Sequence, residues 1–302
     1  MLSTCKSEGW LCFNKPEGMS SNLAMMVVRR ILAENTGYIG TLDPFATGVL
    51  PIAVGKARRF IRFIEKSTKE YVFTMVFGKS TNTIDKSGKI IGETANIPTK
   101  MTILEVMKSF IGTIEQLPPS FSAIKIGGIR ACDRVRRGED VKLPIRNVCI
   151  HSLEVLGNNL EERHAITMKV TCSAGTYVRS IARDIAEKSG SMAYVESLCR
   201  LKSGFFSFNN AISMEKLLKI RDTGKLVDVL IPMESPLDDI PALYIRGDDI
   251  TKLQNGVQVP AERSELALSN VRIMDDSVGK FHGIGLISND GFVKPVSMLV
   301  DN

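Results

Sequence analysis

Apolar residues follow two alternating patterns through most of the chain. Short apolar runs, typical of buried strands, alternate with segments in which apolar residues return every three or four positions, the helical period. The pattern predicts strands over residues 10–14, 49–55, 71–77, 148–155 and 165–173. No segment repeats internally.

Helices are predicted between these strands. The first is capped by Ser20 or Ser21, and its apolar face carries Leu23, Met26, Val27 and Ile31. Others are predicted over 100–110 and after the sequence GTYVR (175–179). A short helix in KARRFIRFIEK (56–66) places Phe60, Ile61 and Ile64 inward and leaves four cations facing out: Lys56, Arg58, Arg59 and Arg62.

The pattern changes near residue 243. Residues 225–243, KLVDVLIPMESPLDDIPAL, are rich in Pro and acids, and this composition predicts a linker. Beyond it the chain is strand-like, with turns at Gly256, Gly279 and Asp290–Gly291. We therefore expect a large domain over 1–243 and a small β-rich domain over 244–302.

The net charge of the chain indicates a class of binding partner. The net charge is +6 and the isoelectric point is about 9.0, which favours polyanions, although a mild basic excess is weak evidence by itself. The basic residues crowd together after the helix-breaking LPPS of 117–120: Arg130, Arg134, Arg136 and Arg137. Such a run is either a solvated helix face or a surface that binds phosphates.

The cysteines and histidines exclude several other classes. Six scattered cysteines form no CxxC pair, and the three histidines share no ligand spacing with them, so no zinc site or disulfide framework is expected. The N-terminus lacks the apolar core of a signal peptide, and no apolar run reaches the ~18 residues of a membrane span. The protein is therefore expected in a reducing cytoplasm, with free thiols and no membrane partner.

Asp43 is the strongest candidate for chemistry. It lies in GYIGTLDPFATGVLP (37–51), a run without another charged residue, where Pro44 favours an extended backbone and Gly40 and Gly48 allow sharp turns. An isolated loop Asp is usually a turn former. Here the carboxylate is held on a shaped loop, and any cation that keeps it ionised must come from elsewhere in the chain.

Six segments together resemble one family, the bacterial tRNA pseudouridine-55 synthases of the TruB type. They occur in the family's order and the resemblance runs from about residue 10 to the C-terminus: KPEGMSS (15–21), GTLDPFATGVLP (40–51), KEYVF (69–73), SAIKIGG (122–128), GTYVRSIARDIAEKSG (175–190) and LCRLKSGFF (198–206). The resemblance implies an α+β pseudouridine synthase fold. That fold has a mixed, mainly antiparallel sheet with flanking helices, an RNA-gripping insertion at about 120–145, and a small β-rich, PUA-like domain at the C-terminus.

The resemblance also implies an activity, isomerisation of uridine 55 in the T-loop of tRNA to pseudouridine without a metal or small-molecule cofactor. Asp43 matches the family's nucleophile, and Arg179 matches the cation that keeps it ionised. The alternative for Arg179 is an ion pair with Asp184 or Glu187 on its own helix. Tyr71 matches the aromatic residue that stacks on the flipped base, and Tyr177 and Leu198 match further pocket positions. For each of these three, burial in the core is the alternative.

RNA contacts outside the pocket follow from the same resemblance. Lys15, Lys125 and Arg130 would line the RNA approach, where cations meet phosphates. The C-terminal domain would touch the acceptor stem or, alternatively, only stabilise the fold. The partner implied is the tRNA T-stem-loop, bound by a monomer.

The sequence departs from the family at three positions. Tyr38 stands where a histidine is usual, Ile39 where a threonine is usual, and Cys132 where a tyrosine is usual. A tyrosine at position 38 keeps a flat ring for stacking but cannot act as an acid or base near neutral pH. Cys132 removes an expected stacking contact from the gripping segment.

Two other functional classes remain. A tRNA-binding chaperone of the same fold would bind without chemistry, but a substituted Asp43 or Arg179 would be expected in such a protein. An aspartyl-phosphate hydrolase or transferase would place a second Asp two positions after the nucleophile and Mg²⁺ carboxylates nearby, whereas position 45 is Phe and the next acid is Glu65.

Overall fold

The computed structural model describes residues 8–223, 226–261 and 266–300. The strands up to residue 130 are β1 (Gly9–Lys15), β2 (Thr36–Tyr38), β3 (Thr47–Val54), β4 (Lys69–Phe77), β5 (Lys79–Thr81), β6 (Ile90–Glu93), β7 (Gly112–Gln116), β8 (Lys125–Ile126) and β9 (Ile129–Arg130). The strands that follow are β10 (Arg146–Asn159), β11 (Ala165–Cys172), β12 (Ala193–Ser203), β13 (Phe206–Ser207), β14 (Ala242–Ile245), β15 (Val259–Pro260), β16 (Asn270–Asp275), β17 (Phe281–Ile287) and β18 (Phe292–Met298). The α-helices are α1 (Ser21–Leu32), α2 (Ile61–Ile64), α3 (Lys100–Lys108), α4 (Ala131–Arg136), α5 (Leu160–Arg163), α6 (Val178–Lys188), α7 (Met214–Thr223) and α8 (Gly247–Gln254).

A nine-stranded sheet organises the larger part of the molecule. Its main path runs β1-β3-β12-β4-β11-β10-β7, with β2 beside β3 and β13 beside β12. The β3–β12 pair is parallel, and the other pairs along this path are antiparallel. The prediction of an α+β fold on a mixed, mainly antiparallel sheet is therefore confirmed.

Strand β4 carries the periodicity that builds the core. Phe73 and Met75 are fully buried on one face of the sheet, whereas the residues between them are half-buried. Helix α6 packs on this face through Ile181 and Ile185, which are also fully buried. Because β4 lies between β11 and β12, residues near its start are held at the centre of the sheet.

Helix α1 begins as predicted but buries a different face. Ser20 is the N-cap, and its Oγ accepts a hydrogen bond from the Leu23 N–H at 3.1 Å. Leu23 and Met26 are nevertheless about half exposed, and the buried side is lined by mostly smaller residues: Ser21, Ala24, Val28 and Leu32. Two stripes of helical period compete in this sequence, and the stripe with small residues allows the closer approach to the sheet.

The C-terminal residues form a separate five-stranded sheet. Its order is β14-β16-β17-β18-β15, with β14 parallel to β16. The expectation of strands alone is wrong for α8, whose Ile250 and Leu253 lie buried against this sheet. Two acids, Asp248 and Asp249, occupy the first turn of α8, where they stabilise the helix dipole.

The predicted linker is packed against the larger sheet over its described part. Ile231 forms a backbone bridge with Trp10, and the Trp10 indole donates a hydrogen bond to the Met233 carbonyl at 3.0 Å. Leu237 is almost fully buried in the same cluster. Apolar residues spaced between the prolines fill a groove here, so the segment has a fixed path.

Three of the four predicted outward cations of residues 56–62 bind backbone carbonyls at the C-terminal sheet. Lys56, Arg59 and Arg62 donate hydrogen bonds to the carbonyls of Val300, Met298 and Val296 at 3.1, 2.7 and 3.0 Å. These carbonyls alternate along the outer edge of β18 and the residues after it, where β15 no longer pairs. We call this set the cation comb. It caps an open strand edge and fixes the C-terminal sheet to the part of the chain that carries the nine-stranded sheet.

Candidate active site

The Asp43 loop joins β2 to β3 and is held at both ends by local hydrogen bonds. The Ser21 hydroxyl donates to the Leu42 carbonyl at 2.9 Å and accepts from the Leu42 N–H at 2.7 Å. On the other side, the Gly18 N–H donates to the Pro44 carbonyl at 2.8 Å. The KPEGMSS turn thus fixes the backbone on both sides of Asp43.

Two glycines in this loop are required by a buried arginine. Arg200 donates from Nε to the Val49 carbonyl at 2.6 Å and from Nη2 to the Gly40 carbonyl at 2.8 Å. Gly40 and Gly48 have φ of +68° and +100°, and a Cβ on Gly48 would lie 2.3 Å from the Arg200 carbonyl oxygen. The spacing of these glycines, noted from the sequence, therefore reflects a close approach to β12.

Arg179 supplies the cation that the sequence required for Asp43. Its Nη2 donates to Oδ1 of Asp43 at 3.0 Å, and its Nε lies 2.8 Å from Oδ2 in an ion-pair contact. Further donations to the Thr83 and Phe121 carbonyls, at 2.8 and 3.0 Å, fix the guanidinium. The alternative of a pair with its own helix is wrong, because Asp184 pairs with Arg183 instead.

A second carboxylate, Asp85, also faces Arg179. Its Oδ2 lies 3.5 Å from Arg179 Nη1, and its Oδ1 accepts hydrogen bonds from the Thr83 hydroxyl at 2.8 Å and the Ser87 N–H at 3.0 Å. Sequence reasoning missed this residue because its segment, GKSTNTIDKSGK (78–89), has the composition of a turn. Nothing in that local pattern indicates a partner in α6.

The pKa of Asp43 is subject to opposing effects. Burial raises the pKa of Asp43 above its ordinary value, and the Asp85 carboxylate raises it further. Arg179 and, more weakly, Lys15 act in the opposite direction. The Asp43 side chain remains about one-third exposed, so its carboxylate is accessible from the cavity while Arg179 is almost fully buried behind it.

A cavity of about 370 Å³ opens above this ion pair, and the structure brings most of the predicted pocket residues to it. The shared lining set is Asp43, Tyr71, Tyr177, Arg179 and Leu198. The volume lies in the range of small-ligand sites, and a flipped nucleotide base is a ligand of that size.

The two tyrosines of the cavity are fixed by different elements. Tyr71 on β4 is buried, and burial raises the pKa of its phenol, so that the group stays protonated near neutral pH. Tyr177 precedes α6, and the buried Gln116 holds its backbone by donating to its carbonyl at 3.1 Å and accepting from its N–H at 2.8 Å. Leu198 on β12 contributes an apolar wall.

The cavity also contains cations that sequence reasoning did not assign. Lys69 and Arg200 line it, and both lie in quoted motifs, KEYVF and LCRLKSGFF. Burial lowers the pKa of Lys69 to about 8, with Arg200 adding to the effect. These positions could have been found only by weighing charged residues inside otherwise apolar strands.

The weaker RNA-approach residues lie in different environments. Lys15 does not face the approach: it is fully buried, and its ammonium donates to the carbonyls of Pro16, Met19 and Pro44 at 2.8, 2.6 and 3.3 Å. Burial lowers its pKa to about 8. Lys15 thus fixes the turn beside Asp43. Lys125 and Arg130 are exposed on the β8–β9 hairpin, as expected for contact with a ligand.

The departures at 38, 39 and 132 lie outside the cavity lining. Tyr38 is half-buried on β2 opposite Ile52, and Ile39 is buried in the core. Cys132 is half-buried on α4. The described cysteines are free thiols, and Cys5 lies outside the described residues.

In residues 8–223, 226–261 and 266–300, no group of three or more His, Cys, Asp and Glu side chains has the arrangement of a metal site. Within the same ranges, every helix is too short or too polar to cross a membrane.

Comparison with known proteins identifies the family. Residues 29–178 match the family described as "TruB family pseudouridylate synthase (N terminal domain)", and residues 179–238 match "tRNA pseudouridylate synthase B C-terminal domain". Among curated relatives, tRNA pseudouridine synthase B of Zymomonas mobilis is 40% identical over 86% of this chain and 87% of its own. The enzyme of the same name from Caulobacter vibrioides is 40% identical over 82% of this chain and 80% of its own.

Solved structures agree in fold. The chain is similar to one in a crystal structure of a Cbf5-Nop10-Gar1 complex, with a TM-score of 0.71 and 25% identity over 98% of this chain and 84% of the other. A chain of an H/ACA RNP bound to a substrate RNA gives a TM-score of 0.73 at 21% identity, over 98% of this chain and 86% of the other. The resemblance read from the six motifs is confirmed, and the chain belongs to the TruB family of pseudouridylate synthases.

Proposed function

We propose that this protein isomerises uridine 55 in the T-loop of tRNA to pseudouridine, with Asp43 as the nucleophile. The observation that carries the proposal is the Asp43–Arg179 ion pair at the base of a cavity walled by Tyr71 and Leu198. In this isomerisation the N1–C1′ bond breaks, the uracil turns, and a C5–C1′ bond forms. C5 loses a proton and N1 gains one, so no oxidant, reductant or added group is consumed.

Asp43 has the properties that this chemistry requires. A carboxylate adds covalently to the sugar or the base and later leaves, which divides one difficult step into easier ones. Arg179 opposes the effect of burial by lowering the pKa of Asp43, it orients the carboxylate, and its own position is fixed by two backbone carbonyls. The one-third exposure of Asp43 leaves its carboxylate open to the bound nucleotide.

The cavity supports a flipped base. A uridine must leave its stack to reach Asp43, and the lost stacking is replaced by an aromatic face and an apolar wall. Tyr71 offers the ring, Leu198 offers the wall, and Tyr177 closes the side beside α6. Burial raises the pKa of the Tyr71 phenol, and we propose that this group also assists a proton transfer.

Binding of the T-stem-loop is assigned to the insertion at about 120–145. Its hairpin exposes Lys125 and Arg130, which position an RNA backbone without reading its sequence. We further propose a division into a catalytic domain (1–243) and a C-terminal RNA-binding domain (244–302), a monomeric state, and a cytoplasmic location. Lys15 is proposed only as a support of the Asp43 turn.

A tRNA-binding chaperone without chemistry is the competing hypothesis, and the intact Asp43–Arg179 pair favours the enzyme. The test is incubation of an unmodified tRNA transcript with the protein and no cofactor, followed by mapping of pseudouridine. Pseudouridine is expected at position 55, and Asp43→Asn is expected to bind tRNA without product, because an amide cannot act as a carboxylate nucleophile. Product from the Asn variant, or none from the wild type, contradicts the proposal.

A further inference from the structure

A second cavity, of about 590 Å³, lies beside the catalytic cavity. It is bounded by residues 63–70, the β12–β13 turn, and residues 235–240 of the segment before the C-terminal sheet. Lys69 lines both cavities. The two cavities therefore share a wall at Lys69, and we call the second space the flanking cavity.

Unpaired charge in the flanking cavity is mainly positive. Three lysines line it: Lys66, Lys69 and Lys202. Among its acids, Glu70 pairs with Lys169 at 3.2 Å, and Asp238 pairs with Arg272 outside the cavity. Among the described acids of the cavity, only Asp239 then remains to balance the three lysines, so the cavity favours an anionic ligand.

An exposed aromatic ring stands at the edge of the same cavity. Phe205 lies in the turn that follows β12, and it is 51% exposed. The buried ring of Phe206 supports it edge-on, with centroids 5.6 Å apart. An exposed, supported ring among lysines is the arrangement on which nucleobases stack in single-stranded RNA sites.

A buried hydroxyl in the cavity wall lacks a protein partner. Ser203 is 2% exposed, and in the described part of the chain its Oγ has no hydrogen-bond partner. A buried polar group without a partner is costly, and such groups normally find one. Ser203 lines the flanking cavity, but its Oγ has almost no accessible surface there, so the hydroxyl would reach a ligand only after its side chain rotates.

We propose that the flanking cavity binds one nucleotide of the substrate RNA, next in the chain to the uridine in the catalytic cavity. Its base stacks on Phe205, and its phosphate lies among Lys66, Lys69 and Lys202. The proposal rests on the proposed function, because the shared Lys69 wall makes the two ligands neighbours. A free nucleotide or inorganic phosphate offers the same chemistry and is distinguished by the test.

The first measurement is the equilibrium affinity for a T-arm stem-loop RNA. Phe205→Ala is expected to weaken binding about tenfold through the lost stacking, whereas Phe205→Trp keeps the affinity. Phe208→Ala, which removes a partly exposed ring outside the cavity, serves as the matched control. Equal affinities of the two alanine variants overturn the proposal.

The second measurement locates the nucleotide. Affinities are compared for T-arm RNAs carrying a single abasic site directly 5′ or 3′ of the target uridine. At one of these sites the abasic RNA and Phe205→Ala should not add, because both remove the same stack. Full additivity at both sites, or displacement of the effect by free uridine monophosphate or inorganic phosphate, overturns the assignment to a flanking nucleotide.

The third measurement tests the phosphate. Lys202→Gln should lower the log–log slope of affinity against salt by about 0.7 to 0.9, whereas the exposed Lys216→Gln should leave it unchanged. An unchanged slope in Lys202→Gln contradicts the phosphate contact. All three measurements report binding and none reports catalysis. A wild type that binds RNA but makes no pseudouridine therefore overturns the proposed function without deciding whether the flanking cavity binds a nucleotide.

Discussion

Arg179 joins two parts of the chain that have no local relation. It lies between the carboxylates of Asp43 and Asp85, and its side chain is almost fully buried. Placing one cation between two acids fixes its orientation more firmly than a single pair could. It also leaves the Asp43 carboxylate in a partly buried site where burial raises its pKa.

Asp85→Asn tests this arrangement. The amide keeps the size of the side chain, but it loses the charge that faces Arg179 and that raises the pKa of Asp43. We expect a loss of about 10- to 100-fold in the single-turnover rate, the value of a hydrogen bond to a charged group. The acidic limb of the pH–rate profile should also move to lower pH, because the active form of Asp43 is ionised and its pKa falls.

Asp184→Asn is the matched control, since Asp184 pairs with Arg183 outside the catalytic cavity. Its rate and pH profile should equal those of the wild type. If Asp85→Asn behaves like this control, Asp85 has no part in holding Arg179.

Substitutions of Tyr38 test whether this residue, which stands where the family usually has a histidine, acts through its aromatic ring. If the ring steadies the T-loop by stacking, Tyr38→Phe is nearly silent and Tyr38→His works well, whereas Tyr38→Ala costs about 1 to 3 kcal/mol in kcat/KM. Tyr38 also packs against the core, so thermal unfolding of each variant is measured beside single-turnover rates. A Phe variant as slow as the Ala variant would show that the phenol hydroxyl matters.

Helix α4 and the hairpin before it show that one basic cluster contains two kinds of arginine. Arg134 donates from Nε and Nη2 to the Ile126 carbonyl at 3.3 and 3.1 Å, so it shapes the hairpin. Arg130 and Arg136 share Asp133 at 2.7 and 3.4 Å, with more than half of each side chain exposed. Exposed pairs of this kind are weak, and their cations are available to a phosphate.

The salt dependence of tRNA binding separates these roles. Arg130→Gln and Arg136→Gln should each lower the log–log slope by about 0.7 to 0.9. Arg163→Gln, at an exposed arginine paired with Glu196 toward the far end of β4 from Tyr71, is the control and should leave the slope unchanged. If both variants show the same salt dependence as the control, the arginine cluster is a solvated helix face that does not contact RNA.

In the molecule as a whole, the cation comb connects the two sheets. The rings of Phe60 and Phe281 meet beside it with centroids 5.2 Å apart, so apolar packing and hydrogen bonds act at one interface. An open strand edge is a site for unwanted pairing, and cationic side chains are a common way to block it. The C-terminal sheet is therefore held in a defined position relative to Asp43.

Arg59→Gln tests the comb. We expect a loss of about 1 kcal/mol in the free energy of unfolding, because one hydrogen bond to the Met298 carbonyl is removed. The salt dependence of tRNA binding should not change, since this guanidinium is occupied by the protein. Arg58→Gln alters the exposed neighbour and serves as the control in both measurements. A lower salt slope in Arg59→Gln alone would instead place Arg59 on the RNA.

The amino-acid sequence by itself determined the local elements and the acid that we propose as the nucleophile. Strand β4, the apolar face of α6, the Ser20 cap and the Gly-bounded Asp43 loop all follow from periodicity and backbone preference, which act over a few neighbouring residues. The motifs in their order also indicated the family, together with Arg179 as the partner of Asp43.

The tertiary structure alone decided which groups meet and which become buried. Asp85 and Arg179 come together across 94 residues of chain, Lys15 turns inward to three carbonyls, and Arg59 reaches β18. The buried face of α1 was likewise settled by how closely small side chains let it approach the sheet. Local pattern fixes what each segment can form, but contacts between distant segments depend on topology and packing, which periodicity does not encode.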